Sequence, residues 1–360
     1  ALFPLLYVAA GLFSTVNIGY RHLLPILPFL YIGAAKATVA PPARAGAKLR
    51  PLIALGTGIL IIWTAWGTLR TLPYPLTFFN EIAGGPEGGY RYLVDSNLDW
   101  GQNLWDLRRW MNEHVEDEVR YAHYSPARPA TYGVKVAFLP PDPKTEPFTS
   151  WWPSPGFYAI GATVLQGAYT PDINTYAWFR NRDPVARLGH ALFLYRVTER
   201  PSPDWLVACS PYDTDYALDL LDMPDLRAVQ VDCGQVQVYP ITSGPGLYLI
   251  QDGVRPIAPT TQVLELRTAA GTVDRRLLRV DDPGATLTYR TPKAQVEGPL
   301  AFLGYTLDSA DDQLILRTYW RVREIPDRPV SLMAHLLLPG RPPVVADGLG
   351  AGPDARRALA

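Results

Sequence analysis

The sequence predicts a membrane protein of mixed class: a few apolar α-helices at the start, extracytoplasmic α/β units after them, and a β-sandwich at the end. Charge distribution is the first reason. None of the 34 Asp and Glu precedes Glu81, whereas six of the 33 Lys and Arg do: Arg21, Lys36, Arg44, Lys48, Arg50 and Arg70. The overall balance of -1 and the 48% hydrophobic content hide this split, which joins a membrane-like segment to a mildly acidic, water-soluble one. The second reason is the run from Pro51 to Arg70, uncharged until its last position, with about the 20 residues a helix needs to cross the hydrocarbon. The third is that, beyond Val119, apolar runs become short and are separated by Pro and Gly, as strands and turns are.

Within the membrane segment, Leu2 to Val16 and Leu23 to Ala35 flank a polar knot at 17–22. They read as a helical hairpin whose first arm is cut at the start of the chain. With Pro51 to Arg70 this makes about three helices in residues 1–70, Trp63 and Trp66 anchoring one end at an interface. A secretory signal fits less well, because further apolar runs follow with no small-residue cleavage site between them. Lys36 to Arg50 holds four cations and no acid, so the positive-inside rule puts it in the cytoplasm and everything after Arg70 outside. The expected location is therefore the cell membrane, multi-pass, with the large C-terminal part exposed to the exterior and in contact with membrane lipids.

Beyond the membrane, Leu104, Leu107, Met111 and Val115 recur at helical spacing, which predicts a helix from Trp100 to Val115. Asp99 then sits at an N-cap, and Gln102 completes a capping-box pattern. Strands are predicted at Val119 to Tyr124, Gly133 to Leu139, Gly156 to Leu165 and His190 to Val197, with short helices at Pro129 to Val134 and Ile173 to Asn181. A second unit repeats the plan, with strands at Trp205 to Ala208, Ala228 to Val231 and Gly246 to Ile250 and a helix near Tyr216 to Leu221. From Gln262 helical periodicity vanishes and Leu314 to Val322 alternates with period two, which predicts the sandwich. The expected domains are 1–70 (membrane helices), 71–200 (α/β), 201–255 (a smaller α/β unit) and 256–360 (sandwich, truncated at its edge).

The chemistry-bearing motifs are few. Five scattered histidines and no ligand spacing argue against a metal site, and neither a Walker loop nor a dinucleotide fingerprint occurs. No cofactor and no nucleic-acid partner are expected. Cys209 and Cys233 are the only cysteines. On an oxidising side of the membrane they fit a disulfide, and two buried thiols fit equally well.

Two stretches carry a resemblance. Residues 17–25 (NIGYRHLLP), together with 79–86 (FNEIAGGP) and 92–102 (YLVDSNLDWGQ), resemble the C-terminal part of bacterial family-39-like glycosyltransferases, relatives of the protein O-mannosyltransferases and of the lipid A aminoarabinose transferases. Residues 155–160 (PGFYAI) and 183–189 (DPVARLG) are similar too. The likeness is strong to about Val197, weaker to Gly253 and generic beyond. It implies the C-terminal part of a C-type glycosyltransferase fold that moves a sugar from a polyprenyl-phosphate donor at the outer membrane face. The family's catalytic Asp or Glu lies on an external loop near its N-terminus. With no acid before Glu81, no catalytic residue is expected in this chain, which alone should be inactive.

Substrate-binding candidates remain. Arg21, with His22 beside it, suits the donor phosphate, or else anchors ordinary lipid headgroups. Asp95, Asn97, Asp99, Trp100 and Gln102 suit a sugar's hydroxyls and apolar face. The plainer readings are a capping box for Asp99 and Gln102 and a turn residue for Asp95. Paired glycosidase carboxylates at Asp95 and Asp99 have no supporting scaffold. The rival to a transferase is a non-catalytic, membrane-anchored extracellular module that binds carbohydrate or protein.

Overall fold

The structure is a computed structural model. It describes residues 2–13, 19–39, 49–143, 145, 148, 151–198, 202–234, 236–239, 244–256, 258–282, 288–291, 298–310, 313–324, 331–336 and 344–350. The chain divides into two units, Ala1–Phe148 with Ser154–Thr198, and Thr149–Pro153 with Glu199–Ala360.

The first unit opens with helices α1 (Leu2–Leu12), α2 (Leu27–Val39) and α3 (Leu49–Leu69), with a 3-10 segment at Gly19–Ile26. Among the described residues only one stretch, Pro51–Leu69 in α3, is both long and apolar enough to cross a membrane, and hardly any of it is buried by protein. The apolar stretches Phe3–Leu12 and Leu23–Lys36 are shorter. Of the three helices expected in residues 1–70, one is thus of spanning length among the described residues. In the sequence, the polar knot at 17–22, which carries Arg21, and Pro25 interrupt the apolar runs. The centre of the cationic loop, 40–48, lies outside the described residues. At the far end of α3, Arg70 meets Glu81 at 2.8 Å and the Trp63 indole donates to the same carboxylate at 3.2 Å. The first acid of the chain is thus taken up in fastening the connector to the helix.

The connector carries α4 (Gly85–Gly88), and α5 (Leu104–His114) leads into the sheet. Strands β1 (Val119–Ala122), β2 (Val136–Phe138) and β3 (Gly156–Gly161) are followed by α6 (Ala162–Leu165), α7 (Ala177–Arg180), β4 (Ala186–Leu188) and β5 (Leu192–Val197). The strand order is β2-β1-β3-β5-β4. β1 is parallel to both β2 and β3, while β5 runs antiparallel to β3 and β4. Both faces of the sheet are covered, which explains why its strands read as nearly unbroken apolar runs. Tyr158, Ile160, Phe193 and Tyr195 point to a face packed by Tyr176 and Phe179. Their neighbours Ala159, Leu192 and Leu194 point to the other face, against Leu104, Leu107, Trp110 and Met111 of α5.

The second unit has β6 (Trp205–Cys209), α8 (Thr214–Leu221), β7 (Arg227–Val231), β8 (Gly246–Gln251), β9 (Thr261–Arg267) and β10 (Val273–Val280). Its order, β7-β6-β8-β10-β9, and its pattern of parallel and antiparallel pairs repeat those of the first sheet strand for strand. Asp213 caps α8 by accepting the Tyr216 N–H at 2.7 Å. Cys209, the last residue of β6, forms a disulfide with Cys233 just beyond β7, which settles the choice left open between a bridge and two thiols.

The mixed α/β expectation is met by these two five-stranded sheets. The boundary expected at 255/256 does not separate sheets, because β9 and β10 form the edge of the second one. Alternating hydrophobicity identifies a strand but not the sheet it joins. Further on, β11 (Leu300–Ala310) pairs antiparallel with β12 (Gln313–Val322), and β13 (Ser331–Leu336) with β14 (Val344–Gly350). Among the described residues these are two separate two-stranded ladders, not a sandwich of larger sheets. Of the expected truncated edge, Gly348 to Ala360, the first three residues belong to β14 and 351–360 lie outside the described residues.

Candidate functional site

Strand order points to one place in the first sheet. From β1 the chain crosses to β2 on one side and then returns to place β3 on the other, so the connections diverge at the C-terminal ends of β1 and β3. In open α/β sheets such a switch point leaves a crevice where ligands bind. Here β1 ends at Ala122 and leads into His123, Tyr124 and Ser125, while β3 ends at Gly161 and leads into Thr163. The loop 95–103 is stitched to both. The Asp95 N–H donates to Thr163 Oγ at 2.9 Å, and Asp99 Oδ2 meets His123 Nε2 at 2.5 Å.

This overturns the helix-cap reading of Asp99. Helix α5 begins at Leu104, not Trp100, and its N-cap residue is Asn103. Asp99 instead turns inward, its side chain 2% exposed and that of His123 4%. The second carboxylate oxygen accepts the Gly101 N–H at 2.9 Å. Gln102, expected to complete the cap, closes the loop by accepting from the Trp100 N–H and donating to the Leu98 carbonyl, both at 2.8 Å. Residues 100–103 are used up in this turn. Gly101 permits it with a φ of +86° where a Cβ would strike Ala127.

The network also assigns the histidine tautomer. His123 Nδ1 lies 2.8 Å from the Ser125 N–H and must accept from it, so the proton sits on Nε2 and is donated to Asp99. Both ring nitrogens are engaged, so His123 is a positioning residue without a lone pair for substrate. A Cβ at Gly161 would lie 2.9 Å from His123 Cδ2 and 3.3 Å from Asp99 Oδ2. Gly161→Ala is therefore expected to lower stability by about 1–3 kcal/mol, the range for overpacking against atoms that cannot yield. Thermal unfolding checks this, and an unchanged midpoint would show that the pair is loosely held.

Asp95, on the same loop, is half-buried. Its backbone has a φ of 64°, and Tyr169, whose phenol donates to Asp95 Oδ2 at 3.2 Å, has a φ of 60°. Two non-glycine residues in the left-handed region, joined to each other, form the kind of stored strain that gathers at binding sites. The Asp95 charge raises the pKa of the Tyr169 phenol, with a smaller contribution from burial, so it remains a donor. Asp95 Oδ1 is buried and has no hydrogen-bond partner among the described residues. Tyr169, 59% exposed, stacks on Tyr124 with centroids 4.6 Å apart. Trp100, 53% exposed, is oriented by its indole N–H to the Ser96 carbonyl at 3.1 Å. Asn97 turns back to donate to the Val94 carbonyl at 3.0 Å and so shapes the loop.

No family model matches this chain, and none of the curated proteins or solved structures compared with it matches either.

Of the residues singled out from sequence, Asp95, Asn97, Asp99, Trp100 and Gln102 thus share one loop with distinct tasks. Trp100 is exposed and Asp95 is half-buried against Tyr169, whereas Asn97, Asp99 and Gln102 build the loop. Arg21 and His22 fall within the 3-10 segment Gly19–Ile26, their side chains outside what is described. Sequence reasoning missed His123, Thr163 and Tyr169, which lie 24, 68 and 74 positions from their partners. No local pattern marks them. Among the described residues no group of three or more His, Cys, Asp or Glu is placed to hold a metal.

Proposed function

We propose that the chain is the C-terminal part of a membrane glycosyltransferase that draws sugar from a polyprenyl-phosphate donor at the outer membrane face, and that it binds the saccharide at the C-terminal edge of its first sheet. The observation that carries this reading is the half-buried carboxylate of Asp95, held by Tyr169 and a hydroxyl-anchored backbone beside exposed aromatic rings. Carboxylates accept from sugar hydroxyls, and aromatic faces cover a pyranose's C–H surface. The apolar helix α3 supports residence at a membrane, where the reacting bond of a lipid-linked donor lies. In the transfer itself an acceptor hydroxyl attacks the anomeric carbon, its proton passes to a base, and the glycosyl–phosphate bond breaks with its electron pair leaving on the lipid phosphate. By the family resemblance that base is an external Asp or Glu. In this chain Glu81 is engaged by Arg70 and Trp63, and Asp99 by His123.

The engagement of His123 and Asp99 favours a second reading, a membrane-anchored carbohydrate-binding module without transfer activity. Titration of the detergent-solubilised chain with short-chain polyprenyl-phosphate hexoses and pentoses, read by tryptophan fluorescence, tests the site. Saturable binding of at least one sugar class is expected. Asp95→Ala should weaken it about tenfold or more through loss of a charged hydrogen bond. Absence of binding to every member of the panel would overturn the proposal. Equal affinity for the free saccharide, with no transfer by the full-length gene product, would replace it with the module.

A further inference from the structure

Four arginines, Arg91, Arg180, Arg182 and Arg187, line a single cleft of about 270 Å³ in the first unit, with Asp183 the only carboxylate in its wall. They come from three places in the chain: the connector at Tyr90 and Arg91, the end of α7 with the turn that follows it, and β4. Three of the guanidiniums lie against aromatic rings. Arg182 sits 3.6 Å from the Trp178 centroid, Arg91 5.6 Å from that of Tyr90, and Arg187 5.6 Å from that of Phe193. Arg187 is further fixed by Glu87 at 2.7 Å, and Arg180 donates to the Leu165 carbonyl at 2.8 Å. Tyr90 and Tyr195 also line the cleft, and burial raises the Tyr195 pKa so that its phenol stays protonated.

We propose that this cleft is a binding site for a phosphate group, either free in solution or on a lipid headgroup. Its size suits a headgroup rather than a larger organic ligand. Forks arriving from three segments suit a tetrahedral oxyanion, whose oxygens point in several directions, whereas a planar carboxylate satisfies one fork. A cleft lined mainly by one sign of charge also concentrates counter-ions. Burial lowers the Arg182 pKa to about 10, so the group, which also donates to the Trp178 carbonyl, is still cationic at neutral pH. The rings hold the forks in place before the ligand arrives, which reduces the ordering cost of binding. The site stands independently of the transferase reading.

The test is calorimetric titration of the protein in maltoside micelles with inorganic phosphate, against sodium chloride of equal ionic strength. Saturable binding that weakens with added salt is expected. Arg182→Gln and Arg91→Gln should each lower affinity about tenfold, the loss of one charge-assisted contact. Arg91 is exposed, so its variant keeps the test valid should the Arg182 variant fail to fold. Doping the micelles with phosphatidylglycerol separates the two sources. A fall in apparent phosphate affinity identifies the headgroup as occupant, and an unchanged affinity identifies a soluble phosphate. No binding beyond the chloride control, or full affinity in Arg91→Gln, would overturn the site.

Discussion

Asp99→Ala is expected to lower the stability of the protein by about 2–5 kcal/mol, because it leaves two buried donors, the His123 Nε2–H and the Gly101 N–H, without an acceptor. Asp99→Asn separates this account from a helix cap, for which Asn substitutes with little loss. The carboxamide has one oxygen where the carboxylate has two. If that oxygen serves Gly101, its NH2 group faces the Nε2–H of His123, donor against donor. Flipping the amide moves the conflict to Gly101, and shifting the histidine proton to Nδ1 sets it against the Ser125 N–H. A loss of about 1–3 kcal/mol is therefore expected for Asn, one unsatisfied buried donor's worth. Chemical denaturation of the detergent-solubilised chain measures both variants. An Asn variant as stable as the parent would dismiss the inward network.

Opening the disulfide is the other large effect. The bridge joins Cys209 and Cys233, 24 positions apart, with a Cα–Cα distance of 5.3 Å that lies within the usual range. Closing a loop of that length stabilises the fold by about 3–4 kcal/mol on the chain-entropy account. Both cysteines are buried, so Cys209→Ser also places a hydroxyl in the apolar core of the second sheet. Cys209→Ser, or reduction of the parent, should produce a loss of that size in unfolding experiments. Without reductant, the denatured parent should not react with thiol reagents. Quantitative labelling of both cysteines would refute the bridge. Its presence favours an oxidising compartment, consistent with the proposal that the units beyond α3 lie outside the cytoplasm.

How much of this was legible beforehand depends on the range of the interaction involved. The apolar helix α3 is visible because its length and composition are both local properties of the sequence. The inner face of α5 is visible because Leu104, Leu107 and Met111 recur at the helical period, and all three are buried. Its start was misread, since a sequence shows that Asp99 can cap a helix but not that a histidine 24 residues later claims both its charge and its position. Seven of the ten strands in the two sheets are legible in the sequence, whereas the short β4 and the edge strands β9 and β10 are not. The likeness between the second unit and the first was visible as a repeated pattern of strands and turns.

What only the tertiary structure decided is partnership. It assigned β9 and β10 to the second sheet, gave both sheets one strand order, gathered four arginines around one cleft, and placed Asp95 opposite Tyr169. Hydrophobic period and cap chemistry are fixed by residues within a turn or two of each other, so the sequence displays them directly. Sheet membership and polar pairing are fixed by contacts between segments tens of residues apart, and there a residue's type limits which partners are possible without choosing among them.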